Sequence, residues 1–563
     1  MIYENEKIRL LTALLHAHGV KQVVACPGSR NAPILNNICE EGRMRCFPVT
    51  DERSAGFFAL GLSLAQGCRP VAVCVTSGSA LLNVAPAVAE AYERHVPLVV
   101  VSADRPIEWI GQHVGQTIRQ AGSLDLMVRK SVNLVTSEQH AEWYLQRNIQ
   151  EALMAACSGA KGPVHINVPL PNASEMPLTE TVSLETDAAG DGKSLNYRKM
   201  ELLEPAVCDP QVMERVIRPL LAARRPMLLL GHLELDETVQ DLLSRLSRRM
   251  AVVAEAITWK EAPQLPPLLE RLDAEKMPDF VVYMGGSFVC RQLNTRLAEA
   301  RGMELWRVDA DGEVTDLFRC ARGVVRVAPE VFIRTLLAQA ETEAPDHASS
   351  QEEAEAKDSA CRYADFCRQP TWAEAPSWSE HPLEATVAYL EEQLEDMDYT
   401  YQVHYANSRA VRWGCRYAYG HKLWCNRGVN GIEGSVSTAV GFAAASPDKV
   451  ILVTGDLSFF YDQNALWNRH LGGNLRILLL NDHGGGIFRQ VKGLEPCARL
   501  EDIVSAAHPA EARGICTQND VGYLHAGSFD EMRMGIVTLL TEETNRPMLL
   551  EIEAMIHENK IQQ

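Results

Sequence analysis

The sequence predicts an α/β protein made of three doubly wound units, each built on a parallel sheet. Short apolar runs that end in turn residues recur along the chain, as in Val71–Val75 before Thr76-Ser77-Gly78. Runs of this length, buried on both faces, are typical of parallel strands covered by helices. Two polar stretches, 174–199 and 341–360, divide the pattern into three groups. A chain of 563 residues is long enough for that many domains.

The polar stretches set the predicted boundaries. We expect the first unit at 1–180, the second at 200–340 and the third at 376–563, with an acidic, solvated linker at 341–375. The predicted strands are Val23–Ala25, Val71–Val75, Pro97–Val101 and Ile166–Leu170 in the first unit, Met227–Leu230, Ala251–Ala254, Phe280–Met284 and Leu305–Val308 in the second, and Val450–Thr454, Leu475–Leu480 and Met548–Ile552 in the third.

Composition excludes several classes of partner. Lys and Arg number 54 against 73 Asp and Glu, a formal charge of −19, and an acidic protein is a poor match to nucleic acid or an anionic membrane surface. No apolar run reaches the roughly 18 residues of a membrane span. The 15 cysteines are scattered singly, with no Cys-x-x-Cys pair, which indicates free thiols in a reducing compartment. We expect a cytoplasmic protein.

The most informative pattern lies in the third unit. Gly455 and Asp456 follow one predicted strand, and Asn481-Asp482-His483 with three glycines follows the next. A helix is predicted from about Tyr461 to His470. Because ligands collect at the carboxyl ends of parallel strands, the two carboxylates should meet there. Such oxygen ligands suit Mg²⁺ shared with phosphate, and glycines let the backbone approach phosphate oxygens.

This pattern resembles the thiamine diphosphate signature, Gly-Asp-Gly followed by Asn-Asn. Two positions depart from it, since Leu457 replaces the second glycine and Asp482 the second asparagine. An aspartate is still an oxygen ligand, but it adds one negative charge. The resemblance implies a thiamine diphosphate-binding fold with Mg²⁺ or Mn²⁺. It implies metal ligation by Asp456, Asp482 and the carbonyl of Gly484, and cofactor contacts from Gly455, Leu457 and Ser458.

Glu52 is the candidate catalytic residue. In the thiamine diphosphate class a glutamate hydrogen-bonds the aminopyrimidine ring and favours the tautomer that removes the thiazolium proton. Glu52 follows a short apolar run and precedes a helix that begins with small residues. A glutamate in a first helical turn is otherwise an ordinary surface residue. The resemblance makes 1–180 the pyrimidine-binding domain and 376–563 the diphosphate- and metal-binding domain, which in this class usually meet across a homodimer or dimer of dimers.

Further stretches resemble one family, 2-succinyl-5-enolpyruvyl-6-hydroxy-3-cyclohexene-1-carboxylate synthase of menaquinone biosynthesis. They are Cys26–Arg30, Asp51–Gly61, Ser102–Pro106, Gln116–Gln120, Asn426–Gly428, Gly431–Gly434 and Gly455–Phe459. The resemblance covers the first and third units and is weak in the second. It implies decarboxylation of 2-oxoglutarate and a Stetter-like 1,4-addition of the succinyl carbanion to isochorismate. Both substrates are dicarboxylates, which arginine forks recognise.

The same resemblance implies roles for individual residues. Isochorismate should be held by Ser29, Arg30, Arg105 and Gln116, with help from Arg291 in a loop of the second unit. The 2-oxoglutarate carboxylates should face Ser408, Arg412 and Arg427. Ile432 should support the bent cofactor, and Phe488 should pack on cofactor or acceptor.

Two other interpretations stay open. The first is a sister carboligase or decarboxylase of the same cofactor class, acting on smaller monoacids that need fewer arginines. The second is a non-catalytic scaffold with a decayed site, which the presence of Glu52, Asp456 and Asp482 argues against. A nicotinamide dehydrogenase is disfavoured because no Gly-x-Gly-x-x-Gly follows a predicted strand.

Overall fold

A computed structural model describes residues 1–136, 141–180, 197–300, 302–342, 351–369, 373–494 and 496–553. Its strands form three parallel sheets, of six, five and six strands in chain order, and one small antiparallel pair. The predicted α/β class is confirmed, and parallel sheets flanked by helices agree with the predicted doubly wound units. None of the helices in the described ranges is long and apolar enough to cross a membrane.

The first sheet has the strand order β3-β2-β4-β5-β7-β6. Its strands are β2 (Gln22–Ala25), β3 (Arg45–Pro48), β4 (Val71–Val75), β5 (Leu98–Asp104), β6 (Lys130–Asn133) and β7 (Val164–Pro169), beside the pair β1 (Ile2–Tyr3) and β8 (Leu178–Thr179). The helices are α1 (Glu6–Ala17), α2 (Ala32–Glu41), α3 (Glu52–Ala65), α4 (Ser79–Asn83), α5 (Ala85–Glu93) and α6 (Ala141–Cys157). β4 and β5 are buried along their whole length, as central parallel strands should be.

The second sheet has the order β10-β9-β11-β12-β13. Its strands are β9 (Pro226–Leu230), β10 (Ala251–Val253), β11 (Phe280–Met284), β12 (Glu304–Asp309) and β13 (Ala321–Arg326). The helices are α7 (Pro210–Val212), α8 (Arg218–Ala222), α9 (Glu237–Leu246), α10 (Leu265–Arg271), α11 (Arg291–Ala298), α12 (Pro329–Thr342) and α13 (Gln351–Arg368), and a π-helical turn (Met213–Ile217) joins α7 to α8.

The third sheet has the order β15-β14-β16-β17-β19-β18. Its strands are β14 (Tyr401–Tyr405), β15 (Leu423–Trp424), β16 (Lys449–Gly455), β17 (Leu475–Asn481), β18 (Gly522–Ala526) and β19 (Met548–Glu553). The helices are α14 (Pro382–Glu395), α15 (Arg409–Tyr417), α16 (Ser435–Ala445), α17 (Asp456–Tyr461), α18 (Arg513–Gln518) and α19 (Phe529–Thr541).

Strand order places the candidate site. In the third sheet the strand order changes direction between β14 and β16, because β15 lies on the outer side of β14 while β17 lies on the outer side of β16. In the first sheet the same change occurs between β2 and β4. Ligands of open parallel sheets bind at such switch points, outside the carboxyl ends of the strands. Gly455 ends β16, and the segment Cys26–Arg30 follows β2.

The first and third units pack closely through α3 and α16. A Cβ at Gly61 would overlap the carbonyl of Thr438, and one at Gly441 would overlap the carbonyl of Phe58, so both glycines are needed for this approach. One apolar core runs through both units and includes Phe58 beside Val440. The N-terminal end of α3, which carries Glu52, is therefore tied to the third unit.

Three expectations need correction. Part of the predicted acidic linker is the helix α13, because Tyr363, Ala364 and Cys367 are apolar at helical spacing and buried against the second sheet. The helix predicted near Tyr461–His470 begins earlier, directly after β16, and is the six-residue α17. Eight strands were not predicted, namely β1, β3, β6, β8, β13, β14, β15 and β18. Of these, β13 and β18 are partly exposed edge strands with weak apolar patterns.

Candidate active site

Two carboxylates converge at the carboxyl ends of β16 and β17. Asp456 is the first residue of α17, and Asp482 follows β17 directly. The backbone N–H of Gly484 donates to Asp456 Oδ2 at 2.7 Å, and that of Leu457 donates to Asp456 Oδ1 at 2.6 Å. Asp456 is 2% exposed and Asp482 8%. The carboxyl groups are thus held at the edge of the sheet with little access to bulk water.

This pair has the electrostatics that a bound cation would stabilise. Burial, followed by the charge of Asp482, raises the pKa of Asp456 to about 6. The hydrogen bonds from the N–H groups of Gly484 and Leu457 act in the opposite direction and lower this pKa. A divalent ion between the two carboxylates would relieve both the desolvation and the repulsion. Arg409 forms an ion pair with Asp482 Oδ2 and partly balances the cluster.

The glycine turn leaves the space that such a site needs. Gly484 has a φ of 153°, which an L side chain rarely adopts, and a Cβ at Gly486 would overlap the Asp482 carboxylate. The Gly484 carbonyl accepts the Gly486 N–H at 3.0 Å, and its second lone pair stays available. No cluster of three or more His, Cys, Asp or Glu side chains suited to a metal occurs among the described residues. The donor set of two carboxylates and a carbonyl still fits Mg²⁺ or Mn²⁺ that shares phosphate oxygens.

Two histidines border the carboxylates. His483 has a φ of 55° and pairs through Nε2 with Glu553 Oε1 at 3.0 Å, so it occupies a turn with a carboxylate partner. His508 lies with Nε2 3.3 Å from Asp456 Oδ2. Its backbone N–H donates to the His483 carbonyl at 3.1 Å. No sequence pattern indicated His508, because it follows the irregular segment after the glycine turn.

The predicted cofactor residues of the third unit lie around the same strand end. Ser458 donates its hydroxyl to the Ile432 carbonyl at 2.6 Å, which fixes Ile432 beside the start of α17. The Ile432 side chain is 40% exposed and free to touch a ligand. Gly455 precedes α17 as its N-cap. Phe488 is half-buried, and a Cβ at Gly485 would meet its ring at 2.7 Å.

Glu52 begins α3, after the N-cap Asp51, and is half-buried. Asn83 donates to Glu52 Oε2 at 3.2 Å. Asp51 Oδ2 accepts from Asn464 of the third unit at 2.7 Å. Across the ranges the structure describes, no hydrogen bond or ion pair joins Glu52 to Asp456. The glutamate and the metal-site carboxylates therefore form two separate clusters in one chain.

The residues predicted to hold isochorismate cluster at the carboxyl ends of β2 and β5. Arg30 donates to the Leu170 carbonyl at 3.1 Å, and Arg105 donates twice to the Gly115 carbonyl, at 3.1 and 2.9 Å. Burial, and then the charge of Arg105, lower the pKa of Arg30, so the two guanidinium groups are near neighbours. Two adjacent cations of this kind favour a dianionic ligand. Ser29 is exposed in the turn after β2.

Gln116 lies in a strained turn close to this cluster. Its φ is 56°, and its Cα lies 3.2 Å from the position of a Cβ at Gly78, which follows β4. The Gln116 side chain is exposed. A left-handed non-glycine residue beside a strand end is a feature often found at binding sites.

A second basic cluster lies between the second and third units. Arg427 is 8% exposed and donates to Asn407 Oδ1 at 3.2 Å, while Arg412 donates to the Val289 carbonyl at 3.1 Å. Burial first, then Arg291 and Arg427, lower the pKa of Arg412. Arg291 is exposed and begins α11, which corrects its expected position in a loop.

Arg291 and Arg412, but not Arg427, border a large cavity. It has a volume of about 1240 Å³ and lies between the second and third units. Its lining includes Arg291, Arg409, Arg412 and Asp482. Ser408, which precedes α15 with a φ of 80°, is not part of that lining. The cavity therefore brings Asp482, a predicted metal ligand, together with several arginines.

The segment that carries Arg427 is held by the first unit. The Glu90 carboxylate, 1% exposed, accepts the backbone N–H of Gly428 at 2.9 Å and of Val429 at 2.8 Å. Arg94, one turn further along, donates to Asn426 Oδ1 at 3.2 Å. Sequence reasoning missed both residues, because a charged pair at helical spacing usually marks a solvated face.

The comparisons with known proteins agree with this geometry. Residues 8–123 match the family model described as thiamine pyrophosphate enzyme, N-terminal TPP binding domain. Three similar relatives are all named 2-succinyl-5-enolpyruvyl-6-hydroxy-3-cyclohexene-1-carboxylate synthase. That of Phocaeicola vulgatus is 35% identical over 98% of this chain and 96% of its own. The Bacteroides fragilis relative is 36% identical over 95% of this chain and 93% of its own. The Desulfotalea psychrophila relative is 33% identical over 90% of this chain and 91% of its own.

Proposed function

This chain belongs to the 2-succinyl-5-enolpyruvyl-6-hydroxy-3-cyclohexene-1-carboxylate synthase family, and we propose that it is the corresponding transferase of menaquinone biosynthesis. It decarboxylates 2-oxoglutarate and adds the remaining succinyl fragment to isochorismate by 1,4-addition. Thiamine diphosphate and a divalent metal ion are required. The observation that carries the proposal is the buried Asp456–Asp482 pair at a glycine turn, within a chain similar to these relatives over nearly its whole length.

The metal-binding role is assigned to Asp456, Asp482 and the Gly484 carbonyl. Thiamine diphosphate supplies the electron sink that stabilises the charge left when a 2-oxo acid loses carbon dioxide. The carboxylates would hold the metal, and Gly455, Leu457 and Ser458 at the start of α17 would contact the cofactor. Ile432, exposed beside α17, would support the bent cofactor, and Phe488 would pack on cofactor or acceptor.

We assign Glu52 as the catalytic carboxylate. Its place in the first turn of α3, after the N-cap Asp51, fixes the position of the carboxyl group. The Glu52 carboxylate would accept a hydrogen bond from the aminopyrimidine ring and hold the proton that tautomerisation moves. The half-buried position leaves the Glu52 oxygens open to a ligand while it limits competition from water.

The arginines divide into two groups that match two dianionic substrates. Arg30 and Arg105, with Ser29 and Gln116, form the isochorismate side. Arg412 and Arg427, with Ser408, form the 2-oxoglutarate side, and Arg291 adds charge from the second unit. An overall charge of −19 would repel both substrates without such local clusters.

A homodimer, or a dimer of dimers, completes the proposed site. Glu52 and Asp456 lie in separate clusters, and large apolar side chains are exposed near Glu52, with Leu82 at 48% and Tyr461 at 51%. A partner subunit would cover these side chains and bring its Asp456 to Glu52. Mixing inactive Glu52→Gln and Asp456→Asn subunits should restore activity in mixed dimers. Lack of restoration, with exchange of subunits demonstrated, would contradict the shared site.

We further propose that the enzyme works in the cytoplasm. The 15 cysteines are scattered singly along the sequence, with no Cys-x-x-Cys pair, which is typical of free thiols. Free thiols in such number suit a reducing compartment.

The direct experiment is a substrate test with purified protein, thiamine diphosphate and Mg²⁺. Product analysis by mass spectrometry should show a succinylated cyclohexene only when 2-oxoglutarate and isochorismate are both present. Pyruvate in place of 2-oxoglutarate should give little product, since it lacks the second carboxylate. Turnover of pyruvate alone would favour a sister enzyme, and cofactor binding without any turnover would favour a scaffold.

A further inference from the structure

Arg409 contacts the metal-site carboxylate but has no role in the assignments above. It is the first residue of α15, and its guanidinium pairs with Asp482 Oδ2. The guanidinium carbon also lies 5.3 Å from the ring centre of Trp413, one helical turn along. The Arg409 side chain is 23% exposed and that of Asp482 11%, so the pair is largely shielded from water. The Coulombic attraction within a shielded pair is stronger than within a fully exposed one, because the local dielectric is lower.

The glycine turn accommodates this ion pair. A Cβ at Gly486 would overlap both the Asp482 carboxylate and the Arg409 guanidinium. Gly486 therefore leaves room for two charged groups and for the backbone at once. The arrangement is built by three separate segments, the start of α15, the end of β17 and the glycine turn.

The charges explain what Arg409 contributes. Asp456 and Asp482 follow neighbouring parallel strands, and a diphosphate would bring further negative charge to the same strand ends. The Arg409–Asp482 pair has no net charge. In this respect it is equivalent to a neutral asparagine at position 482. The contact also occupies Oδ2 of Asp482, which leaves Oδ1 as the open oxygen.

We propose that Arg409 is a positioning residue of the metal site, which cancels the charge of Asp482 and restricts it to one metal bond. The proposal rests on the proposed metal and cofactor site. A carboxylate limited to one oxygen suits the small octahedral Mg²⁺, whereas Ca²⁺ readily takes both oxygens of a carboxylate. Arg409 thereby sets both the affinity for the diphosphate and the preference among divalent ions.

The test is a double-mutant cycle on cofactor binding, measured by isothermal titration of thiamine diphosphate with saturating Mg²⁺. Arg409→Met should weaken binding by roughly 10–100-fold, as loss of an outer-shell partner does. Adding Asp482→Asn removes the uncompensated charge, so the double variant should bind within about threefold of the wild type. In the single variant, the ratio of Ca²⁺ to Mg²⁺ affinity should rise about tenfold or more, because both Asp482 oxygens are released.

Arg416→Met is the matched control. Arg416 is on the same helix and lines the same cavity, but it pairs with Glu384 at 3.4 Å. The loss of Arg416 should leave the affinity for thiamine diphosphate unchanged. Arg409→Lys should retain part of the wild-type affinity. Thermal unfolding of each variant verifies folding, and Arg409→Lys carries the test if Arg409→Met does not fold.

The outcomes separate this inference from the proposed function. Wild-type protein that fails to bind thiamine diphosphate with Mg²⁺ contradicts the proposed function itself. Normal wild-type binding with additive losses in the double variant, or with no change in ion preference in Arg409→Met, overturns only the role of Arg409.

Discussion

Gly484 donates its backbone N–H to the carboxylate of Asp456 at 2.7 Å, although the two residues are 28 positions apart. The contact joins the glycine turn after β17 to the first residue of α17. It is possible because parallel neighbours β16 and β17 end at the same edge of the sheet. One carboxylate and one glycine turn therefore act as a single structural unit.

Asp456→Asn should abolish most Mg²⁺-dependent cofactor binding. An asparagine places an NH₂ group against one of the two N–H donors that Asp456 now accepts, and it removes the charge that a cation needs. We expect the affinity for thiamine diphosphate with Mg²⁺ to fall at least about 100-fold, beyond the effect of losing an outer-shell partner. Calorimetry measures this affinity. Asp502→Asn, a substitution at an exposed residue, is the control. Retained Mg²⁺-dependent binding would show that the metal lies elsewhere.

Glu52→Gln should separate catalysis from cofactor binding. The amide preserves the shape and the contact with Asn83 but cannot take up a proton. We expect kcat to fall by about 10²–10⁴-fold, the range for a catalytic acid–base group, with little change in cofactor affinity. Asn83→Ala, which removes the donor 3.2 Å from Glu52, should cost less. Rates near wild type in Glu52→Gln would remove Glu52 from the mechanism.

Glu90 lies in the first unit, but Glu90→Ala should affect the 2-oxoglutarate side of the site. It removes the acceptor of the Gly428 and Val429 N–H groups, at about 0.5–1.5 kcal/mol for each hydrogen bond lost, so thermal unfolding should occur at lower temperature. Because this segment carries Arg427, KM for 2-oxoglutarate should rise more than KM for isochorismate. Glu90→Gln, which keeps one acceptor, should recover part of both effects. An equal rise in the two KM values would indicate general loosening instead.

Asp462 predicts a pH dependence of stability. Its buried carboxylate accepts the backbone N–H and the hydroxyl of Ser437, each at 2.7 Å, and burial raises its pKa to about 7 from an ordinary 3.8. Between these values the folded state binds a proton that the unfolded state releases. The contribution to stability is thus complete below about pH 4 and is lost as pH rises through 7.

Asp462→Asn tests this directly. The amide can accept the Ser437 N–H and donate to its hydroxyl, so the folded structure should persist. Denaturant unfolding across this pH range should show a flatter stability profile for the variant, by an amount on the order of 1 kcal/mol per pH unit. Parallel profiles for the two proteins would mean that Asp462 is ionised when folded throughout.

Much of the fold was predictable, because central parallel strands are continuous apolar runs. β4, β11 and β17 were found that way, and all three are fully buried. β18 escaped because it is an edge strand whose residues are mostly half-exposed. The helix α13 escaped because its acidic exposed face dominates the composition, although Tyr363 and Cys367 are buried.

The candidate site was predictable where chemistry follows a strand. Asp456, Asp482 and Arg105 each lie at a strand end, and the structure places them there. Their assigned roles stay predictions. Arg409 could have been found from its spacing to Arg412 on one helix, since residues three apart share a face. His508 could not, because only tertiary packing brings it to Asp456.

The central claim is most directly tested by following isotope-labelled 2-oxoglutarate into the product. The enzyme is supplied with isochorismate, thiamine diphosphate, Mg²⁺ and substrate labelled with ¹³C at either the 2-oxo carboxylate or the distal carboxylate. The account predicts that the distal label appears in the succinyl group of the cyclohexene product and that the other label leaves as carbon dioxide. A product without the distal label, or a product that retains the label of the 2-oxo carboxylate, would contradict it.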